Sequence, residues 1–306
     1  MLGLERFPEN PIITPRHGKN WEINGTFNPG TVDAHGAIHI LYRAVDAKWI
    51  SRLAYARSED GRTISFRSSE PILEPSADWE ELGCEDPRIT AFDDRFYLTY
   101  TAFSRRGPRI ALASTSDFST FEKLGVVGPD RSDKDCVLFP ERIGGRVAML
   151  HRLASRVQVA YFGEIEDMTN SQGFWRKYEG DFHEYEVMRP KFTWESKKIG
   201  IGPPPIRTER GWLVIYHGVS ADDVYSAGAA LLDLEEPTKV LARTSQPILQ
   251  PQMAFERQGF VPNVVFPEGA VVRDGKLLVY YGGADKVCCA AKAPFDEFLY
   301  ELEKQR

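Results

Sequence analysis

One unit, a turn residue or pair followed by an alternating, aromatic-rich strand, recurs five times in this chain and limits its fold more than any other feature. The copies are Gly36-Ala-Ile-His-Ile-Leu-Tyr42, Asp94-Arg-Phe-Tyr-Leu-Thr-Tyr100, Gly145-Arg-Val-Ala-Met-Leu-His151, Gly211-Trp-Leu-Val-Ile-Tyr216 and Gly275-Lys-Leu-Leu-Val-Tyr-Tyr281. Their starts lie 51 to 66 residues apart, a period that suits one four-stranded antiparallel blade with its loops. The expectation is an all-β chain: a five-bladed β-propeller with four-stranded antiparallel blades, residues 1–306 forming a single domain. That length exceeds the usual ~100 to 200 residues per domain, but closed all-β folds often pass this limit as one unit. Helical periodicity is confined to Pro294–Glu303, where Phe295, Phe298, Leu299 and Leu302 fall on one face and predict a short C-terminal helix.

Each copy is preceded by a proline-containing segment that leads into a short apolar strand: Phe27-Asn-Pro29, Glu85-Asp-Pro87, Phe139-Pro-Glu141, Gly202-Pro-Pro-Pro205 and Phe266-Pro-Glu268. Proline is tolerated at the first residue of a strand because no ladder donor is lost there. If these segments start the innermost strands, fivefold pseudo-symmetry gathers them at one end of a central axis, where polar side chains face one cavity. A second echo, Asn10-Pro-Ile-Ile-Thr-Pro15, Glu70-Pro-Ile-Leu-Glu-Pro75 and Gln246-Pro-Ile-Leu-Gln-Pro251, reads as the same outer piece of three blades.

Composition narrows the class of function. Apolar residues make up 42% and charged residues 27%, ordinary globular usage without a signature of disorder. The net charge is −6 and the 38 Lys and Arg are scattered, against the concentrated basic face that nucleic-acid binding requires. No apolar stretch of signal-peptide length occupies Met1–Pro15 and no ~18-residue apolar run could span a membrane, so a cytoplasmic protein with neither nucleic-acid nor membrane partner is expected. Cys84, Cys136, Cys288 and Cys289 include an adjacent pair that disulfide geometry does not favour. With no CxxC pair to suggest zinc, they read as reduced, buried residues, and no metal is expected.

The lead-in segments and the strands after them supply Asn28 and Arg43, then Glu85, Asp86 and Arg88, then Lys134, Asp135, Glu141 and Arg152, then Lys198 and His217, and finally Glu268 and Asp285. Acids and cations are mixed. A glycosidase needs two carboxylates and little else, whereas several cations in one cavity suit a bound anion. Singly, each residue has a plainer reading: a lone Lys or Arg is usually solvated, His217 could be a hydrogen-bonded strand histidine, and Asp86 before Pro87 could shape a turn.

Six stretches together resemble glycoside hydrolase family 130, the β-mannoside phosphorylases and related mannosidases. They are Gly83-Cys-Glu-Asp-Pro-Arg-Ile89, Lys134-Asp-Cys-Val-Leu-Phe-Pro-Glu141, Met149-Leu-His-Arg152, Lys198-Ile-Gly-Ile-Gly-Pro-Pro-Pro205, Tyr216-His-Gly218 and Tyr280-Tyr-Gly-Gly-Ala-Asp285. They span nearly the whole chain in family order. The resemblance implies a five-bladed propeller, in agreement with the repeat count, and an inverting β-mannoside phosphorylase that cleaves a short mannoside with inorganic phosphate to give α-mannose 1-phosphate.

By that resemblance Asp86 is the proton donor, acting through a sugar hydroxyl, and Lys134, Arg152, Lys198 and His217 bind phosphate. Asn28, Arg43, Asp285, Glu85 and Tyr225 fall to substrate binding. Lys134 stands where some members carry Arg, which keeps the charge but loses the bidentate fork. No cofactor is implied beyond phosphate as co-substrate, and a homo-oligomer, in which a neighbouring subunit could close the acceptor site, is left open. An inverting mannosidase on the same fold, with Glu141 or Glu268 as base, and a non-catalytic mannoside-binding propeller are the alternatives. Water needs a general base, while phosphate arrives anionic and needs neutralisation; the filled cationic positions favour phosphorolysis. The linkage, β-1,2 or β-1,4, is set by variable loops such as Ser104–Pro108, Glu164–Trp194 and Ser220–Tyr225.

Overall fold

The computed structural model describes residues 2–169 and 171–305. Among them, alternating apolar sequence folds into antiparallel four-stranded units. The first two are Gly25–Ala34, Ala37–Val45, Ser51–Ser58 and Phe66–Arg67, then Gly83–Phe92, Arg95–Ser104, Gly107–Thr115 and Glu122–Val126. A single parallel bridge, Ser51 to Gly83, joins them into one eight-stranded sheet. The third unit is Lys134–Leu138, Val147–Leu153, Arg156–Phe162 and Glu186–Met188, and the fourth is Lys198–Ile201, Gly211–Val219, Tyr225–Leu232 and Val240–Arg243, with Ile206–Thr208 pairing the second of these strands. In the fifth, Val265–Arg273, Lys276–Gly283 and Val287–Pro294 are completed by Glu5–Arg6 from the other end of the chain.

Because side chains alternate across a strand, each unit buries residues on both faces, and the core divides into five clusters that each join two units. Ile38, Ile40 and Tyr42 pack with Tyr280 and Cys288 of the fifth unit, while Leu41 and Leu53 pack with Ile89 and Leu98 of the second. The other clusters join the second unit to the third, the third to the fourth and the fourth to the fifth. All four cysteines are unpaired and buried.

A repeat not anticipated from the sequence ties short helices to the strands of four units. Trp21-Glu22, Trp79-Glu80, Trp194-Glu195 and Phe255-Glu256 each lie in a one-turn helix, and the four glutamates are fully buried. Each accepts a tyrosine hydroxyl from the second strand of its unit: Tyr42 at 3.0 Å, Tyr100 at 2.9 Å, Tyr216 at 2.9 Å and Tyr281 at 2.8 Å. Each also holds a cation: Arg67 and Arg16, Lys123, Arg243, and Arg6. Arg6 binds Glu256 through two nitrogens, at 2.7 and 2.9 Å, tying the N-terminal strand to the fifth unit. A buried charge must be paired and hydrogen-bonded to be tolerated. The third unit instead uses His151, which bridges Asp133 and Tyr178.

The Pro-Ile repeat falls on equivalent positions: the backbone N–H groups of Ile12, Ile72 and Ile248 bond the carbonyls of Cys288, Leu53 and Ala227 in the third strands of three units. The C-terminal helix spans Phe295–Glu303 and buries Phe298, Leu299 and Leu302. Two further short helices, Gln172–Tyr178 and Ala254–Arg257, were not anticipated. The proposed equivalence of the proline segments holds in the first, second and fifth units only. In the third and fourth, the inner strands are Lys134–Leu138 and Lys198–Ile201, so Phe139-Pro-Glu141 and Gly202-Pro-Pro-Pro205 follow the strand instead of opening it. No helix among the described residues is long and apolar enough to cross a membrane.

Candidate active site

Four inner strands carry a bulge at the same place. In three of them two residues face one: Asn28-Pro29 opposite Tyr42, Asp86-Pro87 opposite Tyr100, and Asp135-Cys136 opposite His151. The first residue of each pair adopts a left-handed backbone, φ 52° at Asn28, 54° at Asp86 and 54° at Asp135. Asn and Asp tolerate this conformation best among non-glycine residues, and a bulge re-aims a side chain. Local backbone chemistry thus turns one amide and two carboxylates toward a common cavity. The fifth strand bulges at Glu268.

Asp86 is 4% exposed and accepts bonds from Asn28 Nδ2 at 2.8 Å and Arg43 Nη1 at 3.2 Å. Arg43 also reaches Glu85 at 2.6 Å and Ser51 Oγ at 2.9 Å, and Lys134 Nζ stands 4.0 Å from the other Glu85 oxygen. Burial pushes the Asp86 carboxyl up, but Arg43, Lys134, Arg88 and the Asn28 amide outweigh it and hold the value below the usual range. Asp285, on the hairpin after Lys276–Gly283, is pushed up to about 6 by burial, with Asp86 and Glu85 adding to the rise and Arg43 and Lys134 opposing it. Two carboxyls of one cavity are thereby separated in acidity, Asp86 below its ordinary range and Asp285 above it.

Asp135 organises the other side. Its Oδ2 lies 2.7 Å from Arg152 Nε and 3.7 Å from His217 Nε2, and its Oδ1 lies 3.2 Å from Arg88 Nη2. Gly200 makes this packing possible, since a Cβ there would sit 2.3 Å from Asp135 Oδ2 and 2.4 Å from His217 Cε1. Burial lowers His217 to about 3, with Arg152, Lys198 and Arg88 acting in the same direction and Asp135 against it. The imidazole is therefore neutral in the free protein, and its buried Nδ1 has no partner. Lys198 Nζ lies 5.2 Å from the centre of the Tyr225 ring.

Arg88 fills the space between the inner strands. It donates to the carbonyls of Gly202 at 3.0 Å and Asp86 at 3.1 Å and pairs with Glu268 at 2.8 Å. Arg88 is 1% and Glu268 0% exposed, and burial raises the Glu268 carboxyl far above its ordinary value. Glu141 lies outside the cavity, 55% exposed and paired with Arg207 at 3.0 Å.

Of the ten residues assigned from the sequence, nine line one cavity of about 130 Å³: Asn28, Arg43, Asp86, Lys134, Arg152, Lys198, His217, Tyr225 and Asp285. The tenth, Glu85, stands behind Arg43. Asp135, Val261, Val264 and Phe266 complete the wall. Asp135 and Arg88 were visible only as members of the polar set; their position beside a bulge was the missing signal. A larger open cleft of about 700 Å³, with Trp79, Arg106, Arg109 and Arg176 among its residues, shares no residue with this cavity. Among the described residues, no group of three or more His, Cys, Asp or Glu is arranged to hold a metal ion.

A buried carboxyl beside a cluster of cations, on a chain built mostly of β-strands, has the groups that acid-assisted cleavage of a glycosidic bond by an anion calls for. The family described as beta-1,4-mannooligosaccharide phosphorylase matches residues 3–304. The chain belongs to glycoside hydrolase family 130. It is 40% identical over 299 residues to a 1,2-beta-oligomannan phosphorylase of Thermoanaerobacter sp. (strain X514), covering 94% of this chain and 96% of that one. A beta-1,2-mannobiose phosphorylase of the same organism is 39% identical over 303 residues, covering 93% and 95%. The solved structure of a beta-1,2-mannobiose phosphorylase from Listeria innocua, in complex with beta-1,2-mannobiose, superposes with a TM-score of 0.84 at 28% identity, covering 98% of this chain and 99% of that one.

Proposed function

We propose that this chain is an inverting β-mannoside phosphorylase acting on β-1,2-linked mannosides, built as one five-bladed propeller. The five interleaved core clusters, the last of them joining the fifth unit back to the first, support the ring of blades. The relatives named above support the linkage. The observation that carries the reading is the single cavity that gathers Asp86, the cations Lys134, Arg152 and Lys198, and neutral His217.

In this reading mannose lies against Asn28, Arg43 and Asp285. Phosphate enters among Lys134, Arg152, Lys198 and His217, whose buried Nδ1 has no partner in the protein. Asp86 delivers a proton through a sugar hydroxyl to the departing glycosidic oxygen, and a phosphate oxygen forms the new bond at the anomeric carbon as the old C–O bond breaks on the opposite face. The products are α-mannose 1-phosphate and the shortened acceptor. Neutralising phosphate requires preorganised cations in a low-dielectric site, which Asp135 supplies by fixing Arg152. Glu268 is held by Arg88 and Glu141 by Arg207 outside the cavity, an arrangement that leaves neither glutamate free to act as a hydrolytic base.

The test is incubation of β-1,2- and β-1,4-mannobiose with and without inorganic phosphate. The expected result is α-mannose 1-phosphate from the β-1,2 isomer only when phosphate is present. Equal release of free mannose in both conditions removes the phosphorylase reading, and preference for the β-1,4 isomer removes the linkage.

A further inference from the structure

Next to Val261, which lines the cavity, Phe260 pairs with Trp49 of the first unit in an exposed aromatic pair. Trp49 is 60% and Phe260 36% exposed. Their ring centres are 4.7 Å apart with planes at 65°, so the two rings make a corner. Large aromatic side chains left together in water mark an interaction site more often than chance.

Both rings are held in place. Trp49 sits in the hairpin between Ala37–Val45 and Ser51–Ser58 with φ 66°, a strained conformation for a bulky side chain. The turn is fixed by Asp46, whose Oδ1 accepts the N–H groups of Lys48 at 2.7 Å and Ile50 at 2.9 Å and whose carbonyl accepts that of Trp49 at 3.0 Å. Phe260 follows Gly259, where a Cβ would lie 2.0 Å from the Ala284 carbonyl oxygen, so the segment is seated directly on the turn that carries Asp285.

The pair is continuous with the reaction cavity. Phe260 contacts Phe27, the neighbour of Asn28, with ring centres 6.5 Å apart. Lys286 Nζ, next to Asp285, lies 4.4 Å from the Phe260 ring centre. Val261, the residue after Phe260, lines the cavity itself. Lys198, His217 and Arg152 come from the third and fourth units. In an in-line displacement the leaving group departs opposite the nucleophile, which puts the acceptor on the side of Trp49 and Phe260.

We propose that Trp49 and Phe260 form the platform for the pyranose ring that leaves, stacking against its C–H face on the acceptor side of the cleaved bond. The proposal rests on the phosphorylase reading for its direction. An aromatic corner of this kind contributes apolar area without charge, which suits an uncharged sugar and accounts for hydrophobic residues at the rim of a polar cavity.

The experiment is the reverse reaction, with α-mannose 1-phosphate as donor and mannose or β-1,2-mannobiose as acceptor. Trp49→Ala is expected to raise the acceptor KM about tenfold, roughly 1.4 kcal/mol, with the KM for α-mannose 1-phosphate within twofold; Trp49→Phe is expected to recover most of the loss. Phe260→Ala provides the second variant. Acceptor KM values within twofold of wild type in both alanine variants overturn the proposal. So does a change from oligomer to monomer in light scattering with the acceptor KM unchanged, which assigns the patch to a second copy of the chain. Should the wild type release mannose without phosphate, the phosphorylase reading fails, and the platform is judged by the same variants' KM for mannobiose hydrolysis.

Discussion

Replacing Asp86 by Asn tests the mechanism with little disturbance of the fold. The amide oxygen can still accept the Asn28 and Arg43 bonds, now at 2.8 and 3.2 Å, and Arg43 keeps Glu85 at 2.6 Å. Stability should therefore change by no more than about 1 kcal/mol. What disappears is the proton. General acid catalysis contributes about 10²- to 10⁴-fold, so kcat should fall by that factor, roughly 2.7 to 5.4 kcal/mol at 1.36 kcal/mol per decade. A β-mannoside with a dinitrophenolate leaving group, which departs without protonation, should recover most of the lost rate. The assay is phosphate-dependent release of α-mannose 1-phosphate from mannobiose, alongside release of the phenolate. A variant within tenfold of wild type on mannobiose, or equally impaired on both substrates, refutes the assignment.

Removing the Glu256 carboxylate strands Arg6, the Tyr281 hydroxyl and the N–H groups of Gln252 and Met253. Breaking a buried pair costs about 3 to 5 kcal/mol, so Glu256→Ala should lower the urea midpoint by that equivalent; a loss under about 1 kcal/mol contradicts its role in tying the N-terminal strand to the fifth unit. Asp285 has a carboxyl raised to about 6, so its contribution to stability is present below its unfolded value and is lost as pH rises through about 6. Asp285→Asn should raise the melting temperature at pH 8 relative to wild type while weakening mannoside binding, and an unchanged or lower melting temperature at pH 8 shows that the burial costs nothing.

The repeat, the C-terminal helix and the polar set were legible because each is written in periodicity or in motif. The bulges were not: nothing in Lys134–Glu141 announces that Asp135, not Glu141, turns inward, since Pro140 marks the end of the strand while Pro29 and Pro87 sit inside a bulge. The recurring aromatic-Glu pairs were legible in principle, following the Pro-Ile repeat at Glu22, Glu80 and Glu256, but a charged residue carries no sign of its burial. His217 shows the same limit. Its neutrality follows from complete burial beside Arg152 and Lys198, a property of packing that residue type alone does not convey.

Under the proposed mechanism the resting site poses a problem that bound phosphate would resolve. Asp86 is held ionised by Arg43, Lys134 and Arg88, and an ionised carboxylate cannot donate a proton. A dianion among Lys134, Arg152, Lys198 and His217 offsets the field of those cations, raising the affinity of Asp86, Asp285 and His217 for protons together. Binding of the nucleophile would then load the acid, so that protonation and phosphate entry are thermodynamically linked. Sulfate, a dianion throughout this pH range, isolates the effect from the titration of phosphate. Calorimetry at pH 6 in two buffers of different ionisation enthalpy should show uptake of about half a proton or more per sulfate bound, reduced in Asp285→Asn. Heats that do not depend on the buffer would mean that the anion and the acid are not linked, and Asp86 would need another source of its proton.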